Sequence, residues 1–238
     1  MYLDEIQDWI AVTHDTGMSR TALHVLIRDA GFTYKMLRKA AAERDEEARQ
    51  RWQDFIRDHL VATMIITVDE SSKDERTIFR RYGRALHGQC ATIPADFVRG
   101  DRYSILAAMS VEGYVGTRIV PGSVDGDEFF DFIVNDILPQ MNPFPQDRSV
   151  LILDNCAIHK SELLREVVEA QGSVLLFLPA YSPDFNPIEE SFSAVKAWIR
   201  RNWRRMMDSE TPELDLLEAC GCVTAEMARA WFRNSGYL

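Results

Sequence analysis

The stretch SVLILDNCAIHKSELLREVVEAQGSVLLFLPAYSPDFNPIEE, residues 149–190, decides the fold. It opens on a short apolar run, residues 150–153, that reads as a buried strand and ends at Asp154. Residues 160–170 have helical spacing, Gly172 follows, and residues 174–178 form a second apolar run. A loop over 179–185 leads into a third element at Asn186. Strands alternating with helices predict a sheet with helices packed on its faces. Ligands gather where the strands of such a sheet end, so Asp154 stands where chemistry is expected.

The third element has the marks of a helix start: Asn186 as N-cap, Pro187 as first helical residue and Glu189 at the third position. Glu189 reads in two ways. In a capping box it only ties down the helix end. Alternatively it joins Asp154, from which thirty-four residues separate it, in a shared site. A third acid favours the second reading. Residues 63–68, TMIITV, form another β-rich run and lead into Asp69. Two strands ending in Asp and a helix beginning with Glu can converge on one point. Three carboxylates there repel one another unless a cation neutralises them. Oxygen-only ligands suit Mg²⁺ or Mn²⁺, and two such ions can clamp the attacking and leaving oxygens of a phosphodiester displacement.

The strings VDES (68–71), LDNCAIH (153–159) and LPAYSPDFNPIEE (178–190) resemble those of the mariner-type DDE transposases and their bacterial insertion-sequence relatives. The likeness covers roughly residues 64–205. It implies an RNase H-like α/β fold, a mixed sheet flanked by helices, and metal-dependent DNA strand cleavage and transfer. It also implies that Asp69, Asp154 and Glu189 are the catalytic, metal-binding triad, holding two Mg²⁺ or Mn²⁺ ions. The expected partners are transposon ends and target DNA, with a second copy of the chain forming a homodimer. Nearby, Asn155, His159 and Glu190 are candidates for supporting positions: Asn155 serves an active-site ligand or merely the turn, and His159 orients metal-bound water, contacts phosphate or caps a helix locally.

Residues 3–13 and 20–30 predict two short helices, the second capped by Ser19 and stopped by Gly31, a pairing that suits a partial helix-turn-helix over residues 1–33. Leu3, Ile6, Trp9, Ile10 and Thr13 share one face of the first; Ala22, Leu23, Leu26 and Ile27 point inward from the second. Beside the family pattern, this looks like the tail of a DNA-binding region whose earlier helices are missing, hence a truncated copy. Residues 34–62 predict a charged, solvated connecting helix, resting on the catalytic domain (63–238) through Trp52, Phe55, Ile56 and Leu60. Residues 104–110 and 113–120 predict an antiparallel pair, and 125–138 a helix closed by Pro139.

Two basic clusters offer phosphate contacts: Arg76, Arg80, Arg81 and Arg84 in the first, and Lys196, Arg200, Arg201, Arg204 and Arg205 in the second. On a single helix over 187–206, Glu189, Ser193, Lys196 and Arg200 form one stripe that Arg204 continues. Against tight DNA binding stands a net charge of −10. The four cysteines have no metal spacing and no disulfide framework, which predicts reduced thiols in a nuclear protein of a eukaryote or a cytoplasmic one otherwise. No apolar stretch approaches the ~20 residues of a membrane span. Two rival readings are an RNase H-like nuclease without transposition, and a decayed or domesticated copy that binds DNA without catalysis.

Overall fold

The computed structural model describes residues 2–34, 43–73, 84–90, 92, 102–156, 159, 161–207 and 209–238. The chain divides into two compact units, residues 1–41 and 42–238.

The first unit holds α1 (Leu3–His14) and α2 (Arg20–Asp29). Ser19 caps α2 by accepting from the Ala22 N–H. Gln7 Nε2 donates to the Met18 carbonyl and ties α1 to the turn. Of the residues expected to point inward, only Leu23 is buried, while Trp9, Thr13, Ala22 and Leu26 are exposed. Two short helices have too little surface to enclose a shared core.

The second unit opens on α3 (Glu46–His59), capped by Asp45, whose carboxylate accepts from the Ala48 N–H. This helix is shorter than the expected one, and residues 35–42 of that expectation lie outside the described residues. Nor is it a purely solvated connector: Ile56 is in the core, with Trp52 and Leu60 packed against it, whereas Phe55 is exposed and stacks on His59.

Five strands follow: β1 (Ile65–Lys73), β2 (Tyr103–Ser110), β3 (Gly113–Pro121), β4 (Val150–Leu153) and β5 (Val174–Phe177). Their order in the sheet is β3-β2-β1-β4-β5. β1, β2 and β3 pair antiparallel, while β1–β4 and β4–β5 pair parallel. The β2–β3 turn leaves Gly113 at φ 113°, a conformation that glycine adopts without Cβ strain. Side chains alternate along each strand, so the sheet has a hydrophobic cluster on each face. Ile65, Ile105, Ala107, Met109, Val150 and Ile152 face one; Ile66, Val68, Leu106, Ala108, Leu151 and Leu153 face the other.

On the second face lies α4 (Gly126–Phe132), which widens into a π-type turn at Ile133–Ile137 and tightens at Leu138–Gln140. Pro139 therefore sits inside the last turn and does not close the helix ahead of it. α5 (Glu162–Ala170) covers the same face through Leu164 and Val168, and its N-cap is Ser161. The first face is covered by α6 (Ile188–Arg201), whose Ile188, Phe192, Val195 and Ile199 are buried, each contributing about 2 kcal/mol by leaving water. The expected long helix breaks at Asn202, and α7 (Trp203–Met207) starts afresh. α8 (Pro212–Cys220) and α9 (Ala225–Asn234) complete that layer. Among the described residues, no helix is long and apolar enough to cross a membrane.

Candidate active site

The β1–β4 register carries the site. The parallel ladder ends at Val68 opposite Leu153, so Asp69 and Asp154 are the next residues on neighbouring strands, which lie about 4.8 Å apart in any sheet. Asp69 follows Ile65 and Thr67 in alternation, and Asp154 follows Val150 and Ile152. Both acids therefore belong to the face that α6 covers, and Glu189 is in the first turn of α6. One expectation needs correcting: β1 does not end at Asp69. It continues to Lys73, because β2 still pairs with it after β4 has stopped.

A cleft of about 480 Å³ opens here, lined by Asp69, Asp154, Asn155, Cys156, Asn186, Glu189 and residues 178–183. Asn155 is exposed on its wall. Tyr181, on the rim, is an exposed aromatic at φ 56°, a left-handed conformation that costs a non-glycine residue about 1–2 kcal/mol.

Asp69 is nearly buried. Its Oδ1 accepts from the Glu70 N–H at 2.8 Å, and its Oδ2 accepts from Asn186 Nδ2 at 2.9 Å. Burial, followed by the charges of Glu189, Glu70 and Asp154, pushes its carboxyl up to about 8. Glu189 is also raised, by burial and by Asp154 and Glu70, against the pull of Lys196. Asp154 behaves in the opposite way. Burial works against its charge, but hydrogen bonds from His159 and from the Cys156 N–H outweigh it and hold the carboxyl below its usual range.

His159 is fully buried and stacks on Phe129 at 4.1 Å. Its Nδ1 lies 2.5 Å from Asp154 Oδ1 and its Nε2 lies 3.0 Å from Glu70 Oε2. Burial disfavours the charged ring, yet the two carboxylates prevail and push its pKa up to about 10. With both nitrogens engaged, the ring is a brace between two strands, not a group facing phosphate. Glu70 can meet it because alternation turns Glu70 to the opposite face from Asp69, the face where Phe129 sits.

Other candidates fall outside the cleft. Glu190 points round α6 to α9, where Asn234 Nδ2 donates to its carboxylate at 3.1 and 3.3 Å; a step of about 100° separates it from Glu189. It is therefore not a supporting residue of this site. Arg76, Arg80 and Arg81 lie outside the described residues, and Arg84 is exposed. Lys196 shares the α6 stripe with Glu189 and lowers its pKa. Arg200 is half-buried and Arg201 exposed. The break at Asn202 takes Arg204 off that stripe, and its guanidinium lies over the Trp203 ring. Arg205 is committed to Asp215 and Glu218 of α8, which withdraws it from a phosphate track.

Two residues of the site escaped the sequence reading. Asn186 reads in the sequence as the N-cap of this helix, but the N-cap position falls to Pro187, without a side-chain cap bond, and the Asn186 amide serves Asp69. Glu70 was passed over beside its neighbour. Both stand inside the strings VDES and SPDFNPIE, so their adjacency to the acids was the available signal.

The donor set is oxygen only, as a hard cation requires. Each Asp69 oxygen keeps a second lone pair beyond its hydrogen bond, whereas Asp154 Oδ1 already meets both the Cys156 N–H and His159 Nδ1, which leaves Oδ2 for a cation. Asn186 Oδ1 adds a buried oxygen without a partner among the described residues. In chemistry the residues fit Mg²⁺ or Mn²⁺. Among the described residues, however, no three His, Cys, Asp or Glu side chains already stand in metal-holding geometry.

Known proteins agree with this architecture. The DDE superfamily endonuclease family matches residues 64–211, and a winged helix-turn helix family matches residues 2–54. No curated protein matches the chain in sequence. Among solved structures, the Mos1 transposase paired-end complex with left transposon end is 18% identical with a TM-score of 0.66, over 97% of this chain and 70% of that one. The Mos1 mariner paired end complex with Mn gives the same identity and score, over 97% and 71%. The catalytic domain of Mos1 mariner transposase is 15% identical with a TM-score of 0.56, over 86% and 93%. At such identities the likeness is one of fold, the RNase H-like arrangement of a mixed sheet between helices. The family match covers more than half of the chain and all three acids of the cleft: the protein belongs to the DDE superfamily of endonucleases.

Proposed function

We propose that the protein is a mariner-type transposase that cleaves DNA at transposon ends and joins them to target DNA, using two divalent ions held by Asp69, Asp154 and Glu189. The observation that carries this reading is the gathering of these acids in one cleft, where burial first, and then the charges of Glu189, Glu70 and Asp154, push the Asp69 carboxyl up to about 8. Acids left in that state gain from a cation that neutralises them. The similar solved structures include Mos1 complexes with transposon ends and with Mn or Mg, which supports DNA and a divalent ion as the partners.

When bound, the ions supply Lewis acidity to the attacking and leaving oxygens of the phosphodiester. The chain's own groups prepare the site. His159, charged at neutral pH, donates from both ring nitrogens, fixes Asp154 against Glu70 and is unable to act as a general base there. Asn186 holds Asp69 in place from the loop before α6. Lys196 favours the charged form of Glu189. The test is divalent-dependent nicking of a supercoiled plasmid. Asp154→Asn should abolish it while circular dichroism stays native; undiminished nicking by the variant refutes the assignment.

A further inference from the structure

Asn186 is 4% exposed and lines the cleft together with Asp69 and Glu189. Nearly every polar group it has is spoken for. Its N–H donates to the Pro183 carbonyl at 3.0 Å, its carbonyl accepts from the Glu189 N–H at 3.2 Å, and Nδ2 donates to Asp69 Oδ2. The loop itself is anchored one residue back by Phe185, under the Arg49 guanidinium, and by Asp184, which Arg49 grips. The exception is Oδ1, which is buried and has no partner among the described residues. An acceptor left in that state forfeits its hydration for nothing, and a leucine of similar size would avoid the loss. Such groups in a native fold call for an explanation, and this one belongs to a residue that lines the cleft beside Asp69 and Glu189.

We infer that Asn186 Oδ1 accepts a hydrogen bond from the O–H of the attacking nucleophile, either water or a DNA 3′-hydroxyl. The inference rests on the strand cleavage and transfer proposed above. One amide thereby ties two components together: Nδ2 fixes Asp69, and Oδ1 fixes the direction from which the oxygen approaches. Amide oxygen is too weak a base to remove the proton, so its contribution is orientation.

The test uses the full chain, with Asn186→Leu removing both amide functions at similar volume and Asn186→Ala avoiding any clash. Two reactions separate the two sources of hydroxyl. Nicking of a supercoiled plasmid in Mn²⁺ uses water; joining of a duplex oligonucleotide with a free 3′-hydroxyl to the plasmid uses DNA. Loss of the Nδ2 bond to Asp69 slows both reactions alike. The expected result is therefore an unequal fall in kcat, roughly tenfold to a hundredfold in one reaction and clearly less in the other. Equal falls in both would trace to Asp69 alone and overturn the inference. KM for DNA and the melting temperature should hold, and the reaction that falls further identifies the nucleophile. Unchanged rates in both reactions, with Asp154→Asn inactive in parallel, would overturn the inference and leave the metal-site reading standing. If Asp154→Asn is fully active too, the underlying reading fails and takes this one with it. A melting temperature that drops together with activity in both Asn186 variants assigns the residue to structure alone and equally overturns the inference.

Discussion

Arg49 grips Asp184 with two parallel hydrogen bonds, Nη1 to Oδ1 at 3.0 Å and Nη2 to Oδ2 at 2.7 Å, across 135 positions of sequence. The guanidinium is nearly buried and also lies 3.9 Å above the Phe185 ring. Asp184 is the middle residue of the short turn Pro183–Phe185 that delivers Asn186 to Asp69. A helix that precedes the sheet therefore holds the loop that supports Asp69, one of the acids of the cleft.

Removing that grip should be costly but not catastrophic. Asp184 is 47% exposed, so it can rehydrate when Arg49 is lost, and Arg44 lies 4.0 Å away as a partial substitute. Arg49→Leu should lower unfolding free energy by about 2 kcal/mol, below the roughly 3–5 kcal/mol for breaking a fully buried pair. Burial opposes the charge on Asp184, but Arg49 outweighs it and holds the carboxyl below its usual range. The stabilisation is thus present above the ordinary aspartate pKa and disappears as pH falls through the lowered one. Urea unfolding at neutral and acid pH should show the variant's deficit shrinking in acid. A deficit independent of pH would mean that the contact acts through packing, not charge.

The two glutamates at the head of α6 should separate cleanly. Glu189 lines the cleft; Glu190 is held by Asn234 on α9. Glu189→Gln should cut divalent-dependent cleavage by about a hundredfold or more, since it removes a proposed ligand rather than a supporting group. Glu190→Gln keeps an acceptor for Asn234 and should cleave normally. Steady-state nicking rates decide the matter, and a severe Glu190 variant beside a mild Glu189 one would reverse the assignment.

How much of this was legible in the sequence follows from the range of the interactions. The short continuous apolar runs at residues 150–153 and 174–178 and the apolar stripe of α6 are local patterns, so buried strand and amphipathic helix could be read directly. The three acids sit beside those elements and came with them. The path of β1 beyond Asp69 was not legible, because pairing with β2 sustains it and no residue of β1 announces that partner. The Arg49–Asp184 pair and the His159 bridge to Glu70 join distant segments, and spacing carries no trace of them. Asn186 misled because the same side chain that caps helices also suits a carboxylate, and only the fold decides between the two.

Divalent binding should be linked to a proton on Asp69. Its carboxyl is raised to about 8, so between about pH 4, where the unfolded chain releases that proton, and about pH 8 the folded protein still holds it. Without metal, the contribution of Asp69 to stability therefore falls as pH rises through that window. A cation needs the carboxylate charged and must displace the proton at low pH. The rise in melting temperature on adding Mg²⁺ should therefore grow with pH from mildly acid conditions up to about 8 and then level off. Asp69→Asn should flatten this dependence. Differential scanning fluorimetry across pH measures both, and a Mg²⁺ shift that ignores pH in the unsubstituted protein would separate Asp69 from the binding event.

Lys196 shares a stripe with Glu189, and Arg204 is exposed, stacked on Trp203; Arg205 is bound to Asp215 and Glu218 of its own chain. Each cation that neutralises a phosphate releases counterions, so its loss should reduce the slope of log affinity against log salt by about 0.9 on duplex DNA. Lys196→Ala and Arg204→Ala should each show that reduction, with little change in preference between duplex sequences, since phosphate contacts carry no base information. Arg205→Ala should leave the slope alone and lower the melting temperature, because Asp215, nearly buried, loses its partner. Fluorescence anisotropy with a labelled duplex at several salt concentrations provides the slopes. A reduced slope for Arg205→Ala would show that this side chain leaves its acidic partners when DNA arrives; an unchanged slope for Lys196→Ala and Arg204→Ala would move the DNA path away from α6 and α7.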